Sequence, residues 1–225
     1  MKDRGCDMKI KYIGHSCFLI TTDSGTRIIT DPYEPGCFDG AMKYKPVGES
    51  ADIVLVSHGH ADHCHVQSVG GNPRVVDEAG ACSVNGVDIL GVATYHDTSG
   101  GSERGHNIIF RFEADGLALC HLGDIGHTLD DATAHQLRPL DVLMLPVGGF
   151  FTIGSDDADT IIDLLMPRLV IPMHFKTEGV EFPIAPVNDF LSGRAEVLWE
   201  GGSEVEFTAA NLPEGVMVLD PANLP

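Results

Sequence analysis

The segment Ser57-His58-Gly59-His60-Ala61-Asp62-His63 directly follows the apolar run Ile53-Val54-Leu55-Val56. Three imidazoles and a carboxylate so close together form a costly cluster unless something binds them. A histidine can offer one ring nitrogen to a borderline metal while its other nitrogen is held by a neighbouring acceptor. The apolar run has the pattern of a strand buried on both faces. A tight turn that presents these groups at the end of a buried strand is half of a metal site. A His-rich polar surface loop is the alternative reading, and the His and Asp residues further along the chain argue against it.

Three more potential ligands each lie just past an apolar strand-like run. His96 follows Leu90 to Tyr95, Asp124 follows Leu119 to Gly123, and His174 follows Leu169 to Met173. Side chains at one end of neighbouring strands converge in space, so residues far apart in sequence can build one cage. This is the geometry a binuclear site needs.

The first half of the chain reads as strands: 9–13, 17–20, 27–30, 53–56, 74–76, 87–92, 108–112 and 117–120. Residues 33–49, rich in Pro and Gly, read as a long loop. The second half adds helices at 130–137 and from Ser155, with Ser155 or Asp156 expected as N-cap, and a short one at 188–191. Strands recur at 142–145 and 169–171, and 196–199 with 204–207 are expected to form a terminal pair. Strands first, then strands alternating with helices, imply a layered α/β or α+β sandwich. At 225 residues, with no linker, the expectation is one domain spanning 1–225.

The formal charge of −19, from 33 acidic and 14 basic residues, disfavours a nucleic-acid partner, whose phosphates need concentrated Lys and Arg. No apolar stretch is long enough for a membrane span, and Met1 to Lys9 is too polar for a signal core. The location expected is cytoplasmic. The cysteines (Cys6, Cys17, Cys37, Cys64, Cys82 and Cys120) contain no C-x-x-C pair and resemble neither a zinc knuckle nor a disulfide scaffold. Cys17 and Cys120 are expected as buried free thiols; Cys64 alone adjoins the histidine cluster.

The series His58-x-His60-x-Asp62-His63, His96, Gly123-Asp124 and His174 resembles the ligand series of the metallo-β-lactamase superfamily. A finer resemblance, to its small cytoplasmic hydrolases related to ascorbate-6-phosphate lactonase, rests on Gly14-His15-Ser16, Arg104-Gly105-His106-Asn107, His121-Leu122-Gly123-Asp124, Pro146-Val147-Gly148-Gly149 and Ile171-Pro172-Met173-His174. The resemblance implies a four-layer αββα sandwich with two divalent metal ions at one edge. Carried over by position, His58, His60 and His96 hold the first metal, Asp62, His63 and His174 the second, and Asp124 bridges them. Nitrogen and oxygen ligands suit zinc, and also manganese, iron or nickel. Paired cations of this kind make a bridging hydroxide available near neutral pH and polarise the attacked oxygen. The expected activity is therefore hydrolysis of a small lactone or ester. The alternatives are a small-phosphodiester phosphodiesterase and a non-catalytic metal-binding or sensing module. Members of the resembled group self-associate, so a homo-oligomer stays open.

Other residues carry two readings each. Asp62 could help orient or accept a proton, although a ligand is not a free base. His15 either points to the metal edge or bonds backbone in the core. His127 is either a proton donor at the open face or a solvated loop residue. Asp97 either orients His96 or caps the turn after it, with capping favoured. His121 reads as buried and hydrogen-bonded, His106-Asn107 as structural, His65 and His135 as solvated. Lys176 is the best basic candidate to meet an anionic substrate. Tyr33, Phe150 and Phe151 either rim the pocket or pack.

Overall fold

The computed structural model describes residues 8–225; Cys6 and the rest of the first seven residues lie outside them. The elements in chain order are β1 (Met8–Gly14), β2 (Cys17–Thr21), β3 (Arg27–Thr30), a helical turn α1 (Cys37–Gly40), β4 (Ser50–Leu55), β5 (Gly70–Val76), β6 (Gly80–Val84), β7 (Val87–Tyr95), β8 (His106–Ala114) and β9 (Leu117–His121). They continue with α2 (Asp131–Leu137), β10 (Val142–Pro146), α3 (Ser155–Leu165), β11 (Leu169–Met173), α4 (Val187–Leu191), β12 (Val197–Trp199), β13 (Glu204–Phe207) and β14 (Gly215–Val218). The strands form two sheets, ordered β13-β1-β2-β3-β4-β5 and β12-β14-β11-β10-β9-β8-β7-β6. The result is the mixed α/β two-sheet sandwich expected, with few helices.

The period-2 alternation of the first strands sorts their side chains between two cores. Ile10, Tyr12, Phe18, Ile20, Ile28, Ile53 and Leu55 join the main cluster, which also contains Phe110, Leu119, Leu143 and Ile171 of the other sheet. Leu19, Ile29, Val54 and Val56 face a second cluster with Tyr33, Met42, Tyr44, Val180 and Phe182. A loop rich in aromatic residues thus covers the second face of β2–β4. Strands β9, β10 and β11 are buried at every residue. Helices α2 and α3 add Ala134, Leu137, Ala158, Ile161 and Leu165 to the same apolar cluster as those strands.

Parallel pairing fixes the functional edge. β3 and β4 run parallel, as do β9, β10 and β11, so within each set the carboxyl ends emerge together. Those ends carry Asp31, Ser57, Asp124 and His174.

Two expectations are corrected. Segments 196–199 and 204–207 do not pair with each other: β12 runs parallel to β14, and β13 antiparallel to β1. β14, unseen in the sequence, takes the place beside β12, while Val205 and Phe207 of β13 bury in the main core. The N-cap of α3 is Gly154, without a side-chain cap; Asp156 and Asp157 instead place negative charge in the first turn, where the helix dipole favours it. Asp130, read from the sequence as the first residue of α2, is its N-cap, the side chain accepting from Thr133 N. Among the described residues no helix is long and apolar enough to cross a membrane.

Phe110 is fully buried in the main core. Phe110→Ala is expected to destabilise the fold by about 3–5 kcal/mol in denaturant unfolding; a loss under ~1 kcal/mol would contradict this packing.

Candidate metal centre

Asp31, the residue just past β3, is fully buried and organises the His-rich turn. Its Oδ1 accepts from Ser57 N at 2.7 Å, and its Oδ2 accepts from Ser57 Oγ at 2.6 Å. Oδ2 also lies 2.9 Å from His63 Nδ1, which leaves His63 Nε2 to face inward. Ser57 Oγ is 2.9 Å from His58 Nδ1, so the same carboxylate orients a second imidazole through one hydroxyl. On the other sheet, Asn107 Oδ1 accepts from Asp124 N at 2.9 Å, and its Nδ2 donates to Leu122 O at 2.9 Å. Gly123 is required there because a Cβ would come within 2.6 Å of the Ser57 Cβ and would also strike Asn107. His174 N donates to His15 O at 2.9 Å and joins the two sheets at this edge. His15, Asp31 and His174 adopt left-handed backbone, with φ of 57°, 38° and 53°. Such conformations cost about 1–3 kcal/mol each and cluster at functional sites.

The ligand-type side chains converge in three groups, one of them Asp31 with His58 and His63. The ring nitrogens of His58, His60 and His96 lie within 4.8 Å of one another, and so do the ligand atoms of His15, Asp62, His63 and His174. Asp124 Oδ2 stands between the latter two groups, 3.3 Å from His96 Nε2, 3.1 Å from His63 Nε2 and 3.2 Å from His174 Nε2. His63 Nε2 and Asp124 Oδ1 are buried without a hydrogen-bond partner. Buried polar atoms are normally satisfied; a cation among these donors would satisfy both. All seven residues of the expected ligand series are brought together. The donors are imidazole nitrogens and carboxylate oxygens, a set that fits a divalent transition metal.

The charges are strongly coupled. Burial opposes charging of His63, but Asp124, Asp62 and Asp31 outweigh it and raise its pKa well above the ordinary value. Burial likewise opposes ionisation of Asp124, yet the facing His174 and His63 hold its carboxyl well below the usual range. Asp62 is lowered against burial by the charge of His63 and the hydrogen bond from His15. Burial pushes His58 down to about 3 and His15 down to about 4, with neighbouring imidazoles adding to both shifts. Both shifts favour the neutral imidazole, the form a metal-ligating histidine must take.

The remaining candidates take definite places. His15 is fully buried with Nε2 3.1 Å from Asp62 Oδ2, so it orients that carboxylate. His127, considered for the open face, is instead fixed to backbone: Tyr95 N donates to its Nε2 at 3.3 Å and its Nδ1 lies 2.7 Å from Thr128 O. His121 bonds Ser16 O at 2.9 Å through Nε2 and accepts from Gly123 N. Asp97 caps its loop by accepting from the N–H groups of Ser99, Gly101, Glu103 and Arg104. Lys176 turns away and donates to Phe182 O at 3.0 Å. Tyr33 packs in the second core, and Phe150 is exposed.

A cavity of about 430 Å³ opens over this cluster. His60, Asp62, His96, Asp124 and His174 form its floor, and Phe38, Ala41, Phe151 and Phe182 its apolar wall, with Arg104 beside them. The sequence reading assigned no role to Asp31 or Arg104. Asp31 was legible by the rule that found Asp124, an acid just past an apolar strand.

The model of the β-lactamase superfamily domain matches residues 9–174 of the chain. The chain belongs to the metallo-β-lactamase superfamily. Within the superfamily it is 31% identical over 201 residues to a UPF0173 metal-dependent hydrolase of Thermococcus kodakarensis, covering 76% of this chain and 85% of that one. A similar relative from Pyrococcus abyssi is 31% identical over 195 residues, with 76% and 85% covered. Among solved structures, a Thermotoga maritima protein of the superfamily assigned as a Zn-dependent hydrolase superposes with a TM-score of 0.78 at 40% identity, covering 94% of this chain and 98% of that one. A metallo hydrolase of Ignicoccus hospitalis shares the fold, with a TM-score of 0.62 at 20% identity and 96% of each chain covered.

The Asp31–His63 pairing generates a test. The His63 pKa, raised against burial chiefly by Asp124 and Asp62 and further by the bond to Asp31, stabilises the metal-free fold below about pH 6.5, and that contribution is lost as pH rises through the raised value. The depressed carboxylates contribute above about pH 4 and lose their contribution on acidification. Zinc uptake at pH 7 is therefore expected to release protons, measured by calorimetry in buffers of different ionisation enthalpy. Asp31→Asn is expected to weaken zinc about 10–100-fold. Uptake without proton release, together with unchanged affinity in Asp31→Asn, would contradict this arrangement.

Proposed function

We propose that this chain hydrolyses a small lactone or ester at a site holding two divalent metal ions, with zinc the best fit to its donors. Superfamily membership and metal-dependent hydrolase relatives make it an enzyme of that broad class. In the finer reading His58, His60 and His96 would hold one ion, Asp62, His63 and His174 would hold the other, and Asp124 would serve both. The observation that carries this reading is the position of Asp124: one oxygen reaches both histidine groups, and the other is buried and unpartnered. When bound, such a metal pair supplies Lewis acidity and a water acidified to near-neutral pKa.

The protein's own groups do the rest. Asp31 holds His63 and, through Ser57, His58 in fixed orientation. His15 holds Asp62, and Asn107 fixes the Asp124 backbone. The aromatic wall excludes water from one side of the cavity and leaves the floor open to a carbonyl. That wall suits the apolar portion of an ester or lactone substrate. The free thiols among the described residues, Cys17, Cys37, Cys64, Cys82 and Cys120, support a reducing, cytoplasmic setting.

The zinc-loaded protein is expected to cleave members of a lactone and aryl-ester panel and to lose that activity on chelation. His58→Ala, Asp124→Ala and His174→Ala are each expected to lower metal content below two per chain and kcat/KM by about 100-fold or more. Retention of two metals in any of them removes that ligand from the assignment. Two bound metals with no turnover across the panel would defeat the hydrolase reading.

A further inference from the structure

Arg104 is the one lysine or arginine among the residues that line the cavity over the metal-ligand cluster. Its guanidinium lies 6.0 Å from the Phe151 ring centroid. Its nearest acidic neighbour, Glu103, is 3.9 Å from Nη1, too far for a hydrogen bond. Apart from these two contacts, the side chain is not spent on any other described residue, and about a third of it, 35%, is exposed. Arg27, Arg111, Arg168 and Arg194 donate side-chain hydrogen bonds within the protein; among the described residues Arg74 and Arg138 share the lack of one with Arg104 but do not line this cavity. Arg104 also borders an adjoining cavity of about 410 Å³ that shares His60 with the first. The guanidinium therefore stands at the rim between two open spaces, beside an aromatic wall.

Its backbone is fixed. The Asp97 carboxylate accepts from Arg104 N at 2.8 Å, Glu103 N at 3.0 Å, and Gly101 N and Ser99 N at 2.8 Å. His96 N donates to Gly105 O at 3.0 Å on the far side of Arg104. A loop tied this way holds Arg104 at a set distance from His96, and such pre-organisation favours binding because little ordering remains to be done. Phe38, opposite, is presented at φ 53° between Gly36 and Gly40, with its ring edge-on to Phe182 at 5.6 Å. The chain carries a charge of −19, so a free anion is repelled by the molecule as a whole. An uncommitted arginine at the cavity rim is the local exception, and its planar fork suits carboxylate and phosphate.

We infer that Arg104 determines specificity, taking the carboxylate or phosphate-type group of a substrate whose apolar portion lies against Phe38, Phe151 and Phe182. The scissile carbonyl then faces the floor. This assignment rests on the hydrolase reading for the carbonyl, but the recognition of the anion stands on Arg104 and the wall alone.

Three phenyl esters that differ only at the far end of a hexanoyl chain (carboxylate, phosphonate or methyl) test it, together with the three corresponding phenyl ketones, which cannot be hydrolysed. In the zinc-loaded protein, calorimetry is expected to give about 10–100-fold tighter binding of an anionic ketone than of the neutral one. Arg104→Gln is expected to remove that preference while leaving the neutral ketone and the zinc content unchanged, and Arg104→Lys to keep part of it. The better of the two anions names the group. The esters are expected to show the same pattern in kcat/KM. Equal losses for neutral and anionic ligands in Arg104→Gln, or no preference in the parent protein, overturn the inference. An Arg104-dependent preference for the ketones with no ester cleaved would uphold recognition and defeat the hydrolase reading. Cleavage of all three esters without preference would do the reverse.

Discussion

A single buried carboxylate, Asp31, ties the architecture to the site. It is held at the end of β3 by its own N–H to Leu55 O, so it reports the parallel register of β3 and β4. It then passes that register on to Ser57, His63 and, through the Ser57 hydroxyl, His58. An ionised carboxylate in the interior is tolerable only when charge and hydrogen bonds surround it. Asp31 meets that condition with two bonds from Ser57 and one from His63, and His121 lies 4.0 Å away. The left-handed conformation of Asp31 belongs to the same constraint: the chain bends to bring the carboxylate inward.

The other sheet supplies the matching half by the same rule. β9 and β11 deliver Asp124 and His174 side by side because β10 runs parallel to both. The hydrogen bond from His174 N to His15 O then fixes the spacing between sheets at the edge. Gly148, in the loop after β10, must be glycine because a Cβ would run into His174 O. The site is thus the place where two parallel strand sets end facing each other, and the strain there is borne by an extensive apolar core.

Much of this was legible in the sequence. The apolar runs Ile53–Val56, Leu117–Cys120 and Leu169–Met173 were short, as doubly buried strands are, and each was followed within a few residues by a ligand-type residue. What could not be read was partnership. Segments 196–199 and 204–207 each look like strands, but the choice of sheet was made by Gly215–Val218 and by the burial of Phe207, neither of which is local. His127 and Lys176 were plausible by position along the chain, yet the loop geometry turned one to Tyr95 N and the other to Phe182 O. Arg104 stood in one of the segments that carry the finer resemblance, but nothing local gave it a role, which depends on what it does not touch.

In the proposed site two metal ions would flank the Asp124 carboxylate. Anomalous diffraction from crystals of the zinc-loaded protein, recorded on both sides of the zinc edge, measures this directly. Two peaks are expected, one among His58, His60 and His96 and one among Asp62, His63 and His174, with Asp124 touching both. A single peak at full zinc loading, or two peaks with Asp124 bound to neither, would contradict it.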